Sequence, residues 1–199
     1  MKKTTSFIFL LFFILFAGKV YCQQVHFEPF GGLTIVTAPN ELTNDISQNG
    51  AGFSTGFHVG LRVITKVPMV PYSPYLFFNF QRLTGEQNTV LGNINTSMDI
   101  YDLGLGLRTN LIPGPINPYL TIYAAYNNLG ELKMETPLGT NTSSSKSRVG
   151  VGLGVGLNIA IPLLFSVNGE VTYDFLNLIG KSGGEKSVNV VELTIGISP

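Results

Sequence analysis

Cysteine is all but missing from this chain. Cys22 is the single one, tryptophan is absent, and histidine occurs twice, as His26 and His58. One cysteine excludes an internal disulfide and a thiolate zinc centre, and two isolated histidines leave a thin inventory for acid–base catalysis. Charge is scarce as well: charged residues make up 12% of the sequence, against about a quarter in an ordinary soluble protein. There is no basic excess, with twelve Lys and Arg against twelve Asp and Glu, so the electrostatic footprint of a nucleic-acid binder is lacking. Beyond residue 22 no stretch of eighteen residues is apolar without interruption, which excludes a transmembrane helix there.

The first residues read as an address. Lys2 and Lys3 precede an unbroken apolar run from Phe7 to Phe16, and Ala17, Gly18 and Val20 lead to Cys22 and a polar QQ. This is the layout of a secretory signal peptide, and it divides the chain into a leader, 1–22, and one domain, 23–199. Tyr21 and Val20 occupy positions where a lipoprotein signal wants small residues, so cleavage near Cys22 is expected rather than lipidation. Removing Lys2, Lys3 and Lys19 leaves nine basic against twelve acidic side chains, a net charge of about −3.

What remains is rich in glycine, with 23 in all, and 44% hydrophobic, with a positive mean hydropathy. Its recurring period is two. In KSRVGVGLGVGLNIAI, Val149, Val151, Leu153, Val155, Leu157 and Ile159 alternate with Arg148, Gly150, Gly152, Gly154, Gly156 and Asn158. From Tyr101 the odd positions read Tyr101, Leu103, Leu105 and Leu107, the even ones Asp102, Gly104, Gly106 and Arg108. Such alternation predicts strands with one apolar and one polar or bare face. Eight runs carry it: 25–37, 52–66, 72–83, 96–110, 117–128, 146–161, 163–175 and 187–198. Most exceed the usual globular strand of about five or six residues and suit a tilted membrane strand of about 9 to 11. Their connections alternate between short, Pro-marked turns (VPMVPYSP, NLIPGPINP, IPL) and longer polar loops (APNELTNDISQNGA, TGEQNTVLGN, GELKMETPLGTNTSSS, NLIGKSGGEKS). Short turns at one end and long loops at the other are the pattern of an outer-membrane barrel.

Which face meets lipid follows from the bare one. If the apolar face lined a soluble barrel, glycines between charges on a solvated surface would serve no purpose. Turned the other way, Leu103, Leu105, Leu107, Val151, Leu153, Val155, Val167 and Val171 face lipid, and the glycines make room for long side chains reaching from facing strands across a narrow interior. Tyr101, Tyr119, Tyr126, Tyr173 and Phe175 lie toward the ends of their apolar runs, where interfacial aromatic girdles sit. His58, Arg62, Asp102, Arg108, Arg148, Glu170, Asp174 and Glu192 share the inward parity. Buried charges must be paired or hydrated, so they are expected to form an ion-pair network plugging the barrel. A gate or proton-sensitive relay through His58 is the sharper alternative.

These features resemble the small outer-membrane β-barrel family typified by the transmembrane domain of outer membrane protein A and by outer membrane protein X: the leader, eight alternating strands, Pro-marked turns and polar loops. The resemblance implies an all-β fold, an eight-stranded antiparallel up-and-down transmembrane barrel in the bacterial outer membrane. It also implies contact with membrane lipids and lipopolysaccharide, insertion by the barrel-assembly machinery, and four extracellular loops open to a ligand. Family members commonly end on an aromatic residue, whereas this chain ends VELTIGISP, and no peptidoglycan-binding domain follows the last strand.

No cofactor or metal is predicted. Gly150 to Gly156 give G-x-G-x-G-x-G, not the G-x-G-x-x-G of a dinucleotide turn, and Glu41, Asp45, Glu131 and Glu135 are not spaced as a calcium loop. His58 has lumen parity, the wrong side for acyl-chain chemistry, so no catalytic residue is assigned. The expected function is non-catalytic: envelope structure or surface recognition through the loops. Two alternatives stand beside it: a narrow porin-like channel for small solutes or ions, and a secreted soluble barrel carrying an apolar ligand.

Overall fold

The computed structural model describes residues 24–45, 48, 50–53, 55–66, 70–89, 92–137, 139–161 and 165–198. The leader, Cys22 and Pro199 lie outside them. Eight long antiparallel strands close on themselves: β1 (Gln24–Ala38), β2 (Thr55–Lys66), β3 (Tyr72–Thr89), β4 (Gly92–Asn110), β5 (Ile116–Leu129), β8 (Lys146–Ile161), β9 (Phe165–Ile179) and β10 (Asn189–Ser198). Each pairs with the next, and β1 pairs with β10 to seal the ring. Closure leaves no sheet edge, which hydrocarbon could not satisfy. One short helix, α1 (Asn40–Thr43), and a small hairpin, β6 (Lys133–Thr136) with β7 (Gly139–Thr142), belong to the connections; β6 adds to the end of β4 through Asn95–Ser97.

The alternation read from the sequence becomes an inside and an outside. Leu103, Leu105, Leu107, Leu153, Val155 and Val171 are exposed on the outer wall, joined by Phe27, Leu61, Leu76, Phe78, Leu120, Ile122, Leu193 and Ile195; Val151 and Val167 are half-exposed there. A belt of this extent is not tolerated against water. The apolar-lumen alternative, a soluble carrier, is therefore overturned: the wall facing inward carries Glu28, Thr34, His58, Arg62, Asn79, Gln81, Asp102, Thr121, Glu170 and Thr172, all buried.

Several expectations need correction. Tyr119 is not interfacial. It is 1% exposed inside the barrel, because it shares the parity of Thr121, Tyr123 and Asn127 on β5, and strand parity, not nearness to a strand end, decides the face. The segment 84–93 is not a loop: β3 and β4 run on as a ladder to Thr89 and Gly92. Residues 52 and 53 do not begin β2, which starts at Thr55; Phe53 instead tucks into the barrel mouth, fully buried. Residues 163 and 164 of the expected seventh strand lie outside the described residues.

The glycines also answer to a different partner than expected. A Cβ on Gly104 would overlap the Phe77 ring, on Gly106 that of Tyr75, on Gly152 that of Tyr123, on Gly156 that of Tyr119, and on Gly60 that of Phe30. In the first four pairs the ring belongs to the residue directly opposite on the neighbouring strand, and the Phe30–Gly60 pair is likewise in register. Each ring therefore lies over its neighbour's bare backbone, the arrangement known as aromatic rescue of glycine, rather than reaching across from the far wall.

Candidate functional site

The interior is stacked in layers along the barrel axis. Nearest the short-turn end, β1 brings Glu28, β2 Arg62, β4 Arg108 and β9 Glu170 to one level. Glu28 and Arg62 face each other in register, with Arg62 Nη1 donating to Glu28 Oε1 at 3.1 Å. Arg62 also grips Glu170 with both Nη atoms, at 2.6 and 3.3 Å. Arg108 holds Glu28 in a two-point fork, both bonds at 2.8 Å, and stands 3.8 Å from Glu170. Two cations and two anions thus alternate around a square that ties opposite walls together. Aromatic faces cover the guanidiniums: Arg62 lies 4.5 Å from the Phe30 centroid and Arg108 4.4 Å from that of Tyr119. Bidentate, desolvated pairs of this kind are the strong ones.

The next level holds His58. Its Nδ1 is 3.0 Å from Thr34 Oγ1 and its Nε2 3.0 Å from Thr194 Oγ1, so both ring nitrogens are occupied by hydroxyls. Asp102, Asp174 and Glu192 line one small cavity of about 10 Å³ with Asn79, Gln81 and Tyr123. Asp102 accepts from Gln81 Nε2 at 2.6 Å and Asn79 Nδ2 at 3.3 Å, Glu192 accepts from Asn79 Nδ2 at 3.1 Å, and Asp174 accepts from the Tyr123 hydroxyl and from Thr172 Oγ1 at 3.2 Å. No cation stands at ion-pair distance from these three carboxyls among the described residues. No cluster of three or more His, Cys, Asp or Glu suited to a metal occurs among them either.

At the loop end the interior turns apolar. Val36, Phe53, Leu83, Met98, Ile100, Leu129, Leu176, Val188 and Val190, with Ala51, form one buried cluster, against which Leu42 and Leu132 pack. The β1–β2 connection is drawn over the mouth by backbone bonds from Ala51 to Glu41 (2.8 Å) and Phe53 to Leu42 (2.8 Å), and Thr96 Oγ1 on β4 donates to Ala51 O at 2.6 Å. The barrel is thus stoppered by its own first loop.

Of the eight charges assigned to the lumen, seven are buried there. Arg148 is the exception: it sits at the rim and binds Glu185 of the β9–β10 connection through Nε at 3.0 Å and Nη2 at 2.6 Å. Its inward parity is real, but it is the third residue of β8, at the loop end, where Glu185 meets it. The Arg148 guanidinium brings the Glu185 carboxyl down to about 2, with the Asn177 amide and the Ser182 N–H assisting against partial burial. Lys186 donates to Glu41 across the loops and lowers that carboxyl too. Tyr101, Tyr126 and Tyr173 are exposed on the outer wall, and Phe175 is half-buried, edge-on to Tyr173 at 5.1 Å.

Sequence reasoning missed Glu28, one of the two anions that Arg62 and Arg108 share. Its signal was present, since Val25 and Phe27 flank it on the outward parity of β1. Phe30, an apolar residue on the inward parity, interrupts the alternation just beyond and hides it.

A closed barrel with a greasy outside and an ionic bore is an integral membrane barrel of the bacterial outer membrane. Residues 9–198 match the family model of the outer membrane protein beta-barrel domain, and the chain belongs to that family. Similar solved structures include Neisserial surface protein A, with 14% identity, a TM-score of 0.60, and coverage of 89% of this chain and 98% of that one. A major outer membrane protein from Thermus thermophilus gives 16%, 0.57, 88% and 98%, and the outer membrane protein OprG from Pseudomonas aeruginosa 14%, 0.53, 89% and 97%. At these identities the likeness is one of fold. No curated protein matches the sequence.

Proposed function

We propose that this protein is a non-conducting, non-catalytic barrel that anchors in the outer membrane and presents its loop end to the exterior, as envelope support and as a recognition surface. The observation that carries this reading is the double closure of the interior. The ion-pair square bridges the walls at one level, and the apolar cluster fills the mouth above it. An eight-stranded barrel has room for little more than its own side chains, and the cavities among the lumen charges are about 10 Å³ each, roughly the minimum for a single water. The satisfied nitrogens of His58 support the absence of a catalytic base.

Reconstitution into planar bilayers tests it. No discrete conductance steps are expected from the native protein, whereas removing the stopper by Phe53→Ser together with Arg62→Ala should admit ions. Steady open steps from the native protein would establish the narrow channel instead.

A further inference from the structure

The loop end carries a hollow that the stopper leaves open. It measures about 400 Å³ and lies among the β1–β2, β5–β8 and β9–β10 connections. Leu42, Met98, Leu129, Leu132 and Val188 give it an apolar lining, the outer surface of the stopper itself. Its rim is charged, and most of those charges cancel locally: Lys186 pairs with Glu41 and Glu185 with Arg148. Lys146 lines the same hollow and is left over. Its side chain is exposed, and among the described residues no ion pair engages it.

A concave site of this size, mostly apolar with a few polar groups at one side, has the form of a small-molecule pocket. The uncompensated cation decides the sign of the ligand's head. We propose that this hollow binds a single-chain amphiphile with an anionic head, of the medium-chain carboxylate class, with its chain on Met98, Leu129 and Val188 and its carboxylate at Lys146. The hollow opens at the loop end and not on the lipid-facing wall, so the ligand arrives from water as a free carboxylate rather than as a headgroup of the surrounding bilayer. The inference rests on the recognition reading above and supplies its ligand class.

Methionine methyl resonances test it, since Met98 lines the hollow and Met134 does not. Protein labelled with methyl-13C methionine, held in phosphatidylcholine nanodiscs, is titrated with dodecanoate. The Met98 methyl is expected to shift saturably while Met134 stays in place. Lys146→Gln, and dodecanol in place of dodecanoate, should each weaken the response at least tenfold. A still Met98, a linear drift shared with Met134, or an unchanged response in Lys146→Gln would overturn the proposal, and an equal response to dodecanol would overturn its anionic head. Heat-modifiable gel mobility and silent bilayers in the same preparation would leave the closed-barrel reading standing whichever way dodecanoate behaves.

Discussion

At the residue scale, the two ionic layers make opposite predictions. Glu28 is shared by two desolvated guanidiniums and is itself fully buried. Glu28→Ala leaves two buried guanidiniums with Glu170 as their one remaining anion, and breaking a buried pair from one side costs about 3–5 kcal/mol; the urea midpoint of the detergent-solubilised barrel, followed by gel mobility, should fall accordingly. Asp102 has amide donors but no cation. Asp102→Asn removes a buried carboxyl that no cation partners, so the same measurement should give an unchanged or higher midpoint. A loss at Asp102 as large as that at Glu28 would mean that a cation faces it after all. The parity of each charge was legible in the sequence, but which carboxylates meet arginines was not. Pairing across the bore depends on stagger, that is, on how far each strand has climbed when it passes a given level, and a period of two carries no information about height. This is why Arg148 reads as a lumen residue in the sequence and why the sharing of Glu28 is invisible there.

At the scale of elements, strand pairing explains the glycine rows. Tyr119 lies over Gly156 and Tyr123 over Gly152, each in register on adjacent strands. Gly156→Ala forces a Cβ into the Tyr119 ring and should cost about 1–3 kcal/mol, as overpacking does. In a Tyr119→Ala background the same substitution should cost much less, and equal costs in both would deny that the ring is what excludes the side chain. The alternation located the glycines and their face. It was silent on the rings, because the register that sets Tyr119 against Gly156 is a property of two strands. The connections were the least legible part, since α1 and the β6–β7 hairpin are short and polar and carry no period of their own.

The β9–β10 connection has its own test. Glu185 has a folded value of about 2, below its ordinary 4.5, so its bonds to Arg148 stabilise the loop fully above about 4.5 and are lost as the pH falls toward 2. Nitrogen-15 relaxation of the amides from Ser182 to Val188 should report a rigid loop at neutral pH that loosens across that window. Arg148→Gln should loosen it at neutral pH already. An Arg148→Gln loop as rigid as the native one would remove the anchor from the account.

At the scale of the whole molecule, everything depends on inversion: apolar side chains coat the cylinder and ionic ones fill it. The scarcity of charge, the missing helix and the eight alternating runs carried that much in the sequence, and the closed ring with its exposed belt of Leu, Val, Ile and Phe is the same statement in three dimensions. With Cys22 replaced by serine, the chain accepts single nitroxide labels, so the two faces can be interrogated one site at a time in nanodiscs. Labels at Leu105, Leu153 and Val171 should relax with dissolved oxygen and be shielded from a water-soluble nickel chelate, while a label at Thr121 should be shielded from both. Strong relaxation by the nickel chelate at Leu105 and Leu153, the mid-wall positions, would place the apolar face in water and contradict the account.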